Sequence, residues 1–342
     1  MKYRILGKTG LKVSELCLGT MTFGDSFYNI GEVDQDLAYE LVAKALESGV
    51  NFFDTADVYS YGKSEVLLGR ALKNSKVMRD KVVIATKVRS PMSEAATKGK
   101  GDFNNVGLSR KHIIEACNAS LKRLKVEYID LYQVHGWDIL TPIEETVYAL
   151  DYLVKQGKVL YTGCSNWSAR HLMKAITFAK ENNLSSFVSL QAYYSLIGRD
   201  LEYELLPLCK EEGLGVLPWS PLSGGFLTGK FRKEKVKPKG SRRTKFDFPP
   251  INEERGFDAI DALTDIAKNY NVTIPAVALA WLLAQRGVTS VIIGAKKIKQ
   301  LEENLTSSEI SLSDNDLERL SEITQLRAIY PNWMYDRQNE GR

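Results

Sequence analysis

Only three histidines and four cysteines occur in the 342 residues, and their scatter removes several chemistries at once. Cys17, Cys117, Cys164 and Cys209 stand far apart, with no CxxC pair and no histidine near enough to complete a zinc pattern. Neither a disulfide framework nor a metal centre is expected, and buried free thiols are the plain reading. Long apolar runs are also missing. The longest, residues 276–284, falls far short of the roughly 20 residues that span a bilayer. The opening MKYRILGKTGLKVSELCLG carries no apolar h-region or cleavage site, so a soluble cytoplasmic protein with no membrane partner is expected. Excess charge is small as well. The net +4 comes from residues spread along the chain, apart from one basic tract from Lys230 to Lys245, which gives little support for nucleic-acid binding. No GxGxxG follows a strand-like run, so a Rossmann domain is not expected. Gly224 to Lys230 reads GGFLTGK, but Phe231 stands where a P-loop needs Ser or Thr to hold magnesium.

With 44% hydrophobic residues, the chain has enough apolar side chain for a sizeable core. Eight short runs rich in β-branched and aromatic residues can be picked out: Leu16 to Gly19, Phe52 to Thr55, Val82 to Val88, Tyr128 to His135, Val159 to Ser165, Phe187 to Gln191, Gly215 to Trp219 and Ser290 to Gly294. Amphipathic stretches lie between them, among them Leu37 to Glu47, Arg110 to Leu124, Ile143 to Lys155, Ala169 to Glu181 and Pro275 to Gln285. Eight strands alternating with helices predict an α/β fold, a closed (β/α)8 TIM barrel formed by residues 1–342 as one domain. Before the first run, Tyr3 to Ile5 and Leu11 to Val13 flank Gly7 to Gly10, which predicts an N-terminal β-hairpin plugging one end of the barrel. Two long segments without strand pattern, Arg89 to Leu108 and Leu222 to about Asn252, predict long loops, a length usually kept for function.

Barrel enzymes place their sites at the carboxyl ends of the strands. Here those ends carry Asp54, Lys87, His135, Ser165 with Asn166, Gln191 and Trp219, with Tyr59 in the loop after Asp54. A lysine at the barrel mouth must be paired to offset desolvation, and Asp54 is the plausible partner. An ammonium beside Tyr59 favours phenolate and makes the phenol a usable acid, while His135 can orient a carbonyl by hydrogen bond. Taken singly, Asp54 and Lys87 also read as a structural ion pair, Tyr59 as a loop aromatic and His135 as a satisfied core histidine. Their joint appearance at successive strand ends favours a site for protonating an oxygen.

The segments Asp54-Thr-Ala-Asp-Val-Tyr59, Ile84-Ala-Thr-Lys87 and Leu131-Tyr-Gln-Val-His135 resemble the catalytic signature of the aldo-keto reductases, and the resemblance runs from the hairpin to the eighth strand and helix. It implies a catalytic tetrad of Asp54, Tyr59, Lys87 and His135 and an NADPH/NADP+ cofactor. It further implies that Ser165, Asn166 and Gln191 hold the carboxamide, that Trp219 stacks on the nicotinamide, and that Thr20, Met21 and Asp54 contribute to the cofactor site. The loop from Ser220 through Pro221, Leu222 and Gly224 to Lys230 would pass over the pyrophosphate, with Arg242 a weaker candidate. Gly294, Lys296, Gln300, Glu303 and Asn304 resemble the family's adenosine 2′-phosphate site, and a helix N-terminus plus a lysine suits an anion. A solvent-facing lysine cluster with Lys297 and Lys299 is the plainer alternative.

Potassium-channel β-subunits share this fold and cofactor, so a redox-sensing regulatory subunit is the competing reading. Those subunits carry Asn where this chain keeps His135. A metal-dependent barrel hydrolase lacks support, since no HxH or carboxylate cluster marks the strand ends. Phe23, Tyr28, Trp137, Tyr194 and Trp333, the last in a tail that reads as a pocket cap, are expected to line a pocket for an aldehyde, ketone or keto-sugar. The expected partner is thus a small-molecule carbonyl or alcohol.

Overall fold

A computed structural model describes residues 1–25, 30, 32–233 and 241–340. Ten strands form: β1 (Tyr3–Ile5), β2 (Lys12–Ser14), β3 (Leu16–Gly19), β4 (Phe52–Asp54), β5 (Val83–Val88), β6 (Ile129–Val134), β7 (Val159–Ser165), β8 (Phe187–Tyr193), β9 (Gly215–Trp219) and β10 (Val291–Ile293). The last eight make one parallel sheet in the order β10-β3-β4-β5-β6-β7-β8-β9. Its two edges meet through a bridge between Val216 and Val288, with Val216 N–H donating to Gly287 O and Thr289 N–H to Val216 O. The sheet is thereby a nearly closed (β/α)8 barrel, as the eight runs predict.

Side chains on each strand alternate between two compartments because the strand period is two. Cys17, Phe52, Val83, Ala85, Leu131, Leu217 and Ile292 fill the barrel interior, while Leu16, Phe53, Ile84, Tyr132 and Val134 pack outward against the helices. The same inward period then turns polar. Two residues beyond Phe52, Ala85 and Leu131 stand Asp54, Lys87 and Gln133, so the upper layer of the barrel is ionic and amidic above an apolar floor.

The opposite end is closed by the antiparallel β1–β2 hairpin, whose Leu6 and Val13 are fully buried in the interior cluster. Gly7 has φ +55, and a Cβ there would come within 2.3 Å of Val188 O at the start of β8. Only glycine lets the turn lie this close to the barrel floor.

Helices follow most strands and begin with side-chain caps: Asp34, Ser109, Ser168 and Asn252 each accept a backbone N–H of the first turn. Each such cap stabilises its helix by about 1 kcal/mol. The two long segments are not bare loops. The first holds the short helix Glu94–Thr97 and is tied to the β6 end, where Arg89 Nε donates to Trp137 O (2.9 Å) and Leu108 N–H to Asp138 Oδ2 (2.7 Å). The second carries 3-10 turns over Ser223–Thr228 and the helix Arg242–Lys245; buried Arg243 donates to Ser223 O (3.1 Å) and Pro249 O (2.9 Å) and pairs with Asp247. Among the described residues no helix is long and apolar enough to cross a membrane.

Candidate active site

Strand register brings the predicted catalytic residues together. Gly19 pairs with Asp54, Asp54 with Ala85, and Lys87 with Gln133, so neighbouring strands present Asp54, Lys87 and Gln133 at the carboxyl end. Lys87 has no exposed surface, and its ammonium makes three contacts: Asp54 Oδ1 at 2.5 Å, Thr55 O at 2.8 Å and Tyr59 Oη at 3.4 Å. Burial alone would strip this charge. The Asp54 carboxylate, with the Tyr59 oxygen beside it, outweighs that penalty and holds the Lys87 pKa above its ordinary value.

Asp54 is itself saturated. Its Oδ2 accepts from Gln133 Nε2 (3.1 Å) and Gln191 Nε2 (3.0 Å), and Gln191 Nε2 also lies 3.2 Å from Gln133 Oε1. Gln133 escaped the sequence reading, although it lies two residues before His135 on the same inward period; without knowledge of the polar layer, a glutamine inside a strand gives no signal of its own.

Tyr59 is 8% exposed and sits edge-on to His135, ring centroids 5.7 Å apart. The His135 pKa lies well below 6.5, first through desolvation and then through the positive charges of Lys87 and Arg89, so the imidazole is neutral. Its Nδ1 is buried without a partner among the described residues.

Beneath the Tyr59 loop lies a second buried acidic group. Glu65 accepts from Thr86 Oγ1 (2.6 Å) and pairs with Arg123 Nε (2.5 Å). Asp57 has no exposed surface, and its pKa is pushed well up, first by burial and then by Glu65.

Ser165 and Gln191 pair across β7 and β8, and Tyr193 with Trp219 across β8 and β9. The Ser165 hydroxyl is buried with no partner among the described residues. Asn166 adopts φ +57, a left-handed conformation that is strained for an L residue other than glycine. Its amide donates to His135 O (3.3 Å) and its Oδ1 accepts from Trp219 Nε1 (2.9 Å). Half-buried Trp219 packs against Tyr193 and lies nearly parallel to Phe248, centroids 5.6 Å apart at 9°. Past it, Ser220, Ser223, Gly224 and Gly225 all have positive φ, and the Ser220 hydroxyl accepts from Gly224 N–H (2.9 Å). Pro221 is buried, Leu222 half-buried and Lys230 exposed.

Thr20 is fully buried, its N–H donating to Asp54 O and its hydroxyl meeting Ser64 Oγ at 2.8 Å; Met21 is half-buried beside it. Beyond β10, Gly294 is exposed, Lys296 N–H donates to Gln300 Oε1 (3.0 Å), Asn304 Nδ2 donates to Gly294 O (3.4 Å), and Glu303 is half-buried. Lys296 Nζ pairs with Glu32 Oε1 at 3.1 Å.

The expected pocket aromatics are placed unevenly. Phe23 and Tyr194 have no exposed surface and belong to the core between barrel and helices, Tyr194 bonding Glu202 and packing on Trp281. Being sealed in that core, they are not carried forward as pocket residues. Trp137 stacks on His171 at 3.9 Å and meets Trp167 edge-on. Trp333 is 44% exposed on the helix Asn332–Asn339, in a tail tied down where Tyr203 Oη donates to Arg327 O and Asn332 to Tyr203 O. Tyr28 and the Arg242 side chain lie outside the described residues.

Comparison with known proteins gives the family. The model of the "Aldo/keto reductase family" matches residues 15–325. A protein of Bacillus subtilis (strain 168) named "Uncharacterized oxidoreductase YrpG" is 38% identical over 327 residues, covering 94% of this chain and 96% of its own length. On both counts the chain belongs to the aldo/keto reductase family and is related to an oxidoreductase.

Proposed function

We propose that the protein is an NADPH-dependent reductase of aldehydes, ketones or keto-sugars in which Tyr59 is the general acid and base. The observation that carries this reading is the buried Lys87 ammonium held between the Asp54 carboxylate and the Tyr59 hydroxyl. A positive charge 3.4 Å from a phenol stabilises the phenolate, which makes the phenol a better acid near neutrality. Asp54 keeps that ammonium charged inside the barrel, and the Gln133 and Gln191 amides hold the Asp54 carboxylate in place. His135, being neutral, offers a hydrogen bond without a net charge, beside Tyr59. The two side chains are thereby suited to share one carbonyl oxygen, Tyr59 passing its proton to that oxygen during reduction and taking it back in the reverse direction.

The residues present fit a nicotinamide dinucleotide. Ser165 Oγ is an unpaired buried hydroxyl at a strand end, the situation a carboxamide would relieve, and with Gln191 Nε2 committed to Asp54 its Oε1 is left to accept an amide N–H. Asn166 holds Trp219 by the indole N–H and presents the ring as a flat stacking surface. Gly294, Lys296, Gln300, Glu303 and Asn304 would receive the adenosine 2′-phosphate, the positive-φ turn after Trp219, with Pro221, Leu222 and Lys230, would receive the pyrophosphate, and Thr20 and Met21 at the end of β3 would complete the cofactor site. When bound, the cofactor supplies hydride; the protein supplies orientation, a dry polar layer and the proton.

The test is a panel of aldehydes, ketones and keto-sugars, with NADPH or NADH consumption followed by absorbance. The proposal expects turnover of at least one reactive aldehyde with NADPH. A protein that binds NADPH and reduces no member of the panel would contradict it.

A further inference from the structure

Lys296 is not a free cation in this structure. Its ammonium lies 3.1 Å from Glu32 Oε1, with the two side chains 23% and 44% exposed. The pair does not depend on two flexible side chains meeting by chance. Thr22 O accepts the backbone N–H of Glu32 (3.0 Å), while the Thr22 hydroxyl donates to Ala295 O (3.1 Å), the residue immediately before Lys296. On the other side Gln300 Oε1 fixes the Lys296 backbone N–H. The loop after β3 and the loop after β10 are therefore stitched together at Thr22, and the stitch delivers a carboxylate to the lysine.

We infer that Glu32 is a cofactor-selectivity residue, its carboxylate competing with the 2′-phosphate of NADPH for Lys296 and thereby narrowing the preference for NADPH over NADH. This rests on the reading that Lys296 receives that phosphate. NADPH must displace Glu32 from the ammonium and then tolerate a like charge nearby. NADH brings no phosphate and leaves the Glu32–Lys296 pair intact. Because the pair is partly exposed, it opens at modest cost, so the carboxylate tunes the preference and does not abolish it.

Calorimetric titration of the full-length protein with NADPH and with NADH separates the possibilities, using wild type, Glu32→Gln and Lys296→Ala. Glu32→Gln keeps the side-chain shape and should tighten NADPH roughly two- to fivefold, the scale of a partly screened charge interaction, with NADH altered less than about 1.5-fold. Lys296→Ala should weaken NADPH and spare NADH. If Lys296→Ala weakens NADPH selectively but Glu32→Gln leaves the NADPH to NADH affinity ratio unchanged or lower, the role of Glu32 is refuted while the phosphate site stands. If Lys296→Ala leaves the ratio unchanged, the phosphate site itself is misassigned and the inference falls with it.

Discussion

Replacing Lys87 by Met tests whether the buried ion pair is electrostatically as tight as its geometry. Methionine fills nearly the same volume but removes the ammonium, which stands 2.5 Å from Asp54 and 2.8 Å from Thr55 O. Asp54 then becomes a buried carboxylate without a counter-charge, a change that costs about 3 to 5 kcal/mol when one partner of a buried pair is lost. The Gln133 and Gln191 amides remain on Oδ2 and, as hydrogen bonds to a charged group, keep the loss near the low end, about 3 kcal/mol. Adding Asp54→Asn to Lys87→Met removes the orphaned charge, so the double variant should regain most of the stability. Turnover should not return, because neither variant has the ammonium that lets Tyr59 give up its proton; both should lie at least ~100-fold below wild type. Urea midpoints of the three proteins, with NADPH consumption on one reactive aldehyde, decide the matter. A Lys87→Met protein within about 1 kcal/mol of wild type, or a double variant no more stable than the single one, would refute the reasoning.

Two more expectations follow from particular residues. Asp57→Asn should raise stability at pH 8, because burial and the neighbouring Glu65 oppose the charged carboxylate and the amide carries no charge. The folded pKa of Asp57 is raised above 3.8, so its cost appears as pH rises through and beyond that value; the gain from Asn should shrink toward pH 4, and thermal melts showing an equal gain at both pH values would contradict the assignment. The fluorescence of Trp219 should be quenched when NADPH is added; quenching that persists unchanged in Trp219→Phe would rule out stacking on this indole.

The barrel was legible in the sequence because inward and outward positions obey a period of two and each run ends in polar or glycine punctuation. Helix ends such as Arg110, Ile143 and Ala169 fell where expected, after Ser109, Pro142 and Ser168. The meeting of Asp54, Lys87 and Tyr59 was legible because a lysine at a strand end inside a barrel needs a counter-charge that the chain must supply at a matching depth. What stayed hidden depends on pairings between distant segments. Gln133 acquires its role only through contacts with Asp54 and Gln191, 79 and 58 residues away, and Glu32 meets Lys296 only because Thr22 bridges two loops. Two of the expected pocket aromatics could not be told from core residues for a related reason: Phe23 and Tyr194 lie close in sequence to site residues, but their side chains turn into the core behind the barrel wall.

Tyr59→Phe bears most directly on the proposal that this protein reduces carbonyls by proton donation from Tyr59. The change keeps the ring that faces His135 and deletes the hydroxyl that faces Lys87. The proposed cofactor contacts lie on other side chains, so NADPH affinity should stay within about twofold of wild type, while turnover of a reactive aldehyde should fall at least ~100-fold. A variant that binds NADPH normally and keeps near-normal turnover would contradict the account.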